Sequence, residues 1–198
     1  MTFQLTAGHP ALDLVNTLDW RFGAKGPQDL LNSYDDLLRF NEQSKLLTSA
    51  QARQLRRSAS GSSGARALKC CEELREALAE IFYARLDRRQ PSAWSREILE
   101  RYFQAARLAQ NLNWKRSPRL EWHWPAQAIN CELPLWALAI SASDLMTSDA
   151  VDRVRACDNP ECRWLFLDTS KNHTRRWCDM RVCGNRMKAR RFKAHKRN

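Results

Sequence analysis

Four of the seven cysteines fall in one stretch, as Cys157-x4-Cys162, fifteen residues, and Cys178-x4-Cys183. Thiolates a few residues apart come from one tight turn, so each pair presents two sulfurs as a pincer. Two pincers supply the tetrahedral soft-ligand set that Zn2+ prefers. With all four positions taken by protein, such a site is closed, so the expectation is one structural Zn2+ rather than a catalytic one. Four reduced cysteines lining a small apolar core are the alternative; two pairs at matching spacing in a basic segment speak against it. His173, between the pairs, reads as a turn residue because the quartet is complete without it. Cys70, Cys71 and Cys131 are scattered through apolar surroundings. MTFQLTAGHPALDLVN lacks a basic segment followed by an apolar run, so no secretory leader is expected. The expected compartment is then the reducing cytoplasm, where paired cysteines bind metal more often than they form disulfides.

The second chemistry is cationic. The chain carries 33 Lys+Arg against 22 Asp+Glu, a formal net charge of +11. Between Val151 and Asn198 there are 14 basic and 5 acidic residues, leaving residues 1–150 at only +2. On a helical wheel begun at Cys183, Arg186, Arg190, Lys193 and Arg197 share one arc, and Lys188, Arg191 and His195 form a second stripe. Cys183, Met187 and Ala194 lie between the two stripes and should face the metal hairpin. Like charges at these spacings repel, which makes sense if a polyanion neutralises them. The preference for Arg suits bidentate contacts to phosphate or guanine edges. Arg175 and Arg176, just before Cys178, add candidate phosphate clamps. DNA is the expected partner, at the nucleoid, with RNA as the runner-up, because two Arg rows do not tell A-form from B-form. A protein–protein module in which the finger is a homodimer contact is the third reading. The helix lacks the broad apolar face of a membrane-surface helix, and no stretch approaches the length of a membrane span.

These groups need elements to hold them. Within the C-terminal part, residues 164–167 read as a strand, 170–173 as a turn, 174–177 as the returning strand, and about 181–197 as a helix whose first turn carries the last ligand pair. That is a treble-clef-like finger. Fewer than 50 residues bury too little surface to fold unaided, so the metal should supply the missing stability.

The preceding residues 1–150 read as a helical domain. Apolar residues at helical period mark 10–20, 33–40, a segment from Thr48, about 65–88 and about 94–110, and a stripe from Leu135 to Met146 behind Pro134. Thr48 and Gln51 have capping-box spacing. SASGSSG, residues 58–64, reads as a flexible loop. Alternation at Leu112 and Trp114, then Leu120, Trp122 and Trp124, predicts a short antiparallel hairpin turning at residues 115–118. The expected class is therefore mostly α (α+β): a helical N-terminal domain with one hairpin, then the finger, 151–198, ending in a basic helix.

Asp13, Asn16, Thr17, Trp20 and Arg21 cluster around the first helix. They line a small-molecule effector pocket or, on the plainer reading, cap helices and bond to neighbours. Trp114, Trp122, Trp124 and Trp136 build a stacking cage or simply pack. No phosphate loop, HExxH or nucleophile elbow is present, and the four histidines form no acid–base constellation, so no enzyme activity is expected.

Cys157-Asp-Asn-Pro-Glu-Cys162, Trp164-Leu-Phe-Leu-Asp168, Arg175-Arg-Trp-Cys178-Asp-Met180 and Cys183-Gly-Asn-Arg186 together resemble the CGNR zinc finger. His9-Pro-Ala-Leu-Asp-Leu-Val-Asn-Thr17 is similar to the opening of the ABATE domain, and Trp122-x-Trp124 and Leu133-Pro-Leu-Trp136 follow its general pattern. The resemblance covers most of the chain. It implies a stress-linked transcription regulator whose finger binds DNA and whose N-terminal domain senses a ligand. SASGSSG and Cys70-Cys71 depart from the family pattern. Gly184-Asn185 would shape the ligand turn, Gly by close approach and both by tolerating unusual backbone angles.

Overall fold

The computed structural model describes residues 2–114 and 120–196. Helix α1 (Pro10–Asn16) starts at a proline whose missing N–H is no loss there, and the His9 ring accepts from Ala11 N–H as its cap. A two-residue ribbon, β1 (Leu18–Asp19) with β2 (Gln28–Asp29), leads to α2 (Tyr34–Gln43), capped by Ser33 on Asp36 N–H. Helix α3 (Ser49–Ser58) opens with the capping box that Thr48 and Gln51 predict.

SASGSSG is not a loop. Ser58 ends α3, Ser60 caps the 26-residue α4 (Gly61–Leu86) by accepting from Ser63 N–H, and Gly61–Gly64 form its first turn. Small polar residues read as loop in composition and as cap in position. Gly64 is needed for space: a Cβ there would come within 3.1 Å of the Tyr34 ring, so α4 crosses α2 closely.

Helices α5 (Ala93–Leu108, capped by Ser92) and α6 (Leu133–Met146, with Pro134 in its first turn) pack with α4. Leu74, Leu78 and Phe82 of α4, Ile98 and Tyr102 of α5 and Leu135, Leu138 and Leu145 of α6 meet Leu12, Leu14 and Val15 of α1 in one core. Between α5 and α6, β3 (Asn111–Asn113) pairs with β4 (Glu121–His123), Leu112 opposite Trp122. The predicted turn at 115–118 lies outside the described residues. No four-tryptophan cage forms among the described residues: Trp124 and Trp136 stack with centroids 6.3 Å apart, whereas Trp114 and Trp122 face solvent.

The last part departs most from the sequence expectation. Strand β6 (Leu165–Leu167) pairs not with residues 174–177, which form no strand, but with β5 (Val154–Ala156) ahead of the first cysteine, in antiparallel register Val154↔Leu167. The returning segment is fixed instead by point contacts: Asp158 N–H donates to Arg176 C=O, and the Asp168 carboxylate accepts from the N–H groups of Ser170 and Arg175. Alternation along β6 explains the choice. Leu165 and Leu167, with Val154, enter the main core, while Phe166 faces the cysteines. The finger therefore completes the core of the helical domain. The fold is mostly α with short antiparallel hairpins.

Candidate metal centre and cationic helix

The first pincer hangs on Asn159. Its carbonyl accepts from the N–H groups of Cys162 and Arg163, closing the turn, while Cys157 N–H donates to Trp164 C=O. The second pincer is wound by Asp179, whose carboxylate accepts from Arg181 and Val182 N–H and whose carbonyl accepts from Cys183 N–H. Met180–Gly184 form a single wide helical turn that runs straight into α7 (Asn185–His195). Gly184 sits there for close approach, since a Cβ would meet the Met180 thioether at 2.4 Å and the Trp177 ring at 3.2 Å. Unusual angles play no part at Asn185, which has ordinary helical φ −66° and ψ −39°.

All four cysteines are buried, and their sulfurs lie within 4.8 Å of one another. Cys162–Cys178 and Cys178–Cys183 are each separated by 3.7 Å. A tetrahedral ion with Zn–S bonds of about 2.3 Å needs sulfur–sulfur separations of roughly 3.8 Å, so the quartet fits one structural zinc. A divalent cation compensates four thiolates held this close together. The Asn159 amide, fully buried, points its Nδ2 at Cys183 Sγ, 3.6 Å away, a donor that orients a ligand from outside the coordination sphere. His173 sits exposed in a turn at φ 50° and is not among the ligands.

The predicted cations separate into three groups. Arg175 lies over the Phe166 ring at 4.3 Å and donates to the carbonyls of Trp177 and Cys178, and Arg176 pairs with Asp158 at 2.5 Å over Trp177. Both buttress the metal loop. Arg186 turns back toward the body, over the Trp20 ring at 4.8 Å, while Arg190 stays within the finger, its Nη2 donating to both Glu161 oxygens at 2.9 Å. Among the described residues, Lys188, Arg191 and Lys193 are exposed and carry no ion pair. Arg197 lies outside the described residues. Among the seam residues, Cys183 is buried and Met187 half-buried.

The candidate effector residues are bonded inward. The Asp13 carboxylate accepts from Ala7 N–H at 2.9 Å, and its burial pushes it up to about 6. Asn16 both donates to and accepts from the Leu165 backbone, each at 2.9 Å. Thr17 donates to Leu14 C=O and accepts from Arg75, and Arg21 pairs with Glu76. The void beside Asp13, Asn16 and Thr17 is about 10 Å³, no more than one water occupies, so no ligand-sized space opens between them. The sequence reading missed Asn159 and the tie between Asn16 and Leu165. Asn-Pro inside the first pincer is the one local signal for the former; the latter spans 149 residues and has none.

The two halves of this arrangement match known families. The CGNR zinc finger model matches residues 153–196. The ABATE model, described as "Putative stress-induced transcription regulator", matches residues 8–149. A search of curated proteins returns no match. A zinc-fitted quartet rooting a basic helix, behind a helical body matched over most of its length, places the chain in the ABATE family, with a CGNR zinc finger following the ABATE domain.

Proposed function

We propose that the protein is a zinc-dependent DNA-binding transcription regulator whose helical body responds to a small-molecule effector. The observation that carries the reading is three exposed cations, Lys188 and Arg191 on one stripe and Lys193 on the other arc, that carry no ion pair among the described residues, on a helix whose first turn is fixed by the metal loop. Such cations supply the sequence-independent phosphate attraction that underlies DNA binding. Arg186, engaged with the body, and Arg190, paired within the finger, are not needed for it.

The test is fluorescence anisotropy with duplex DNA at about 50 and 200 mM salt. Affinity should fall steeply with salt. Replacing Lys188, Arg191 and Lys193 by Ala should weaken binding and flatten the log–log salt slope by about 3, near one per lost phosphate contact, while zinc content stays at one per chain. Salt-independent affinity, or an unchanged slope in the variant, defeats the proposal. An RNA duplex bound in clear preference to DNA moves the partner to RNA.

A further inference from the structure

Between α7 and the body lies a cleft of about 600 Å³, within the range of small-molecule sites. One wall is the loop between β1 and β2, with Trp20, Lys25 and the segment from Gly23 to Gln28; the other is the finger, with Glu161, Arg186 and Arg190. Three cations face one carboxylate there.

The loop is held in a defined shape. Trp20 has φ 51°, a left-handed conformation rare for so bulky a residue, fixed by its N–H on the Asp19 carboxylate and by its carbonyl on Gly23 N–H. Gly26, at φ 85°, turns the loop back. Strained backbone of this kind gathers at ligand sites, where the surroundings over-determine it. Opposite, Arg186 lies on the Trp20 ring, and its buried Nη1 has no hydrogen-bond partner among the described residues. The Arg186 guanidinium also lines the cleft, where its charge and planar fork suit an anion. Among the described residues Arg190 is paired only with Glu161, on the cleft's own rim.

We propose that this cleft is the effector site, that it takes a small organic anion bearing a carboxylate or phosphate group, and that its occupant opposes nucleic-acid binding. The antagonism rests on the reading of α7 as the nucleic-acid helix. The anion competes with Glu161 for Arg190, meets Lys25 and Arg186, and cancels positive charge on the helix that carries Lys188, Arg191 and Lys193. It touches the body and the finger at once. By linkage, ligand and nucleic acid then weaken each other by the same factor.

The experiment uses the zinc-loaded full chain at constant ionic strength. Benzoate and phenyl phosphate are titrated by calorimetry up to about 10 mM, where even millimolar affinity saturates; the two arms separate carboxylate from phosphate. At least one probe should bind one to one. Lys25→Gln should weaken it, and Glu161→Gln, which frees Arg190, should tighten it, each by at least about fivefold; neither change touches the metal. The saturating probe should lower duplex affinity in anisotropy by a similar factor. Absence of saturable binding by both probes, or equal affinity in both variants, overturns the site whether or not the chain binds DNA. Probe binding with normal variant effects but undiminished duplex affinity upholds the site and overturns the antagonism; probe binding by a chain that binds no nucleic acid does the same and defeats the DNA reading separately. Loss of duplex affinity in Lys25→Gln with no probe binding assigns the cleft to the nucleic-acid interface and overturns the proposal.

Discussion

The carboxamide of Asn16 satisfies the N–H and C=O of Leu165 together, both buried where water does not reach. Asn16→Ala leaves two backbone groups unpaired, and the expected loss is about 2–4 kcal/mol, read from urea unfolding at fixed zinc. Asp13, one turn earlier, carries a pH signature. Burial raises its pKa to about 6, against 3.8 in the unfolded chain, although Ala7 and Thr6 N–H groups favour the charged form. The folded state thus holds its proton more tightly. Above about pH 6 the buried charge is a standing cost, relieved as pH falls toward 4, by at most ~3 kcal/mol. His9, lowered by burial against the pull of Asp144, titrates in the opposite sense in wild type and variant alike. The stability of wild type minus that of Asp13→Asn should therefore rise from pH 6 to pH 4, measured by denaturant melts across that range. The cysteine quartet was legible because chelation is a local matter of spacing. Asn16 and Asp13 were visible as polar residues on an apolar helix, but the Asn16 partner, 149 residues away, is set by tertiary packing, and Asp13 bonds six residues back to Ala7 N–H in a segment without a repeating pattern.

Strand β6 has two faces with different duties. Leu165 and Leu167 fill the main core, and Phe166 packs against the four cysteines. Substitutions one residue apart should separate these effects. Leu165→Ala is expected to cost about 2–5 kcal/mol of stability with zinc retained. Phe166→Ala should speed zinc transfer to a chromogenic chelator. A reversed pattern would contradict the assignment of faces. At this scale, capping residues predicted helix starts well, as at Thr48 and Pro134. The misreadings were positional. Ser60 is a cap rather than part of a loop, and residues 174–177 lose the pairing contest because β5 offers β6 a ladder and a core-facing Val154 at once.

For the whole molecule, charge asymmetry announced a body and a basic appendage, and the families divide along those lines. What composition did not show is how tightly the two are fused. Leu167 N–H donates to Ala7 C=O, Trp164 Nε1 to the Asp19 carboxylate, and Tyr83 O–H to Arg163 C=O. Zinc binding should therefore stabilise the body as well as the finger, by mass action on one folded state. Scanning calorimetry should show a single transition that moves to lower temperature as a whole when zinc is chelated; two transitions, only one metal-sensitive, would count against a shared core.

Val154, Leu165 and Leu167 complete a hydrophobic interior whose other walls belong to α1, α4 and α6. Transplanted behind an unrelated scaffold, residues 153–196 would keep their thiolate cage but bare a greasy strand face to solvent. Behind any other body the finger would need an apolar surface shaped to cover Val154, Leu165 and Leu167.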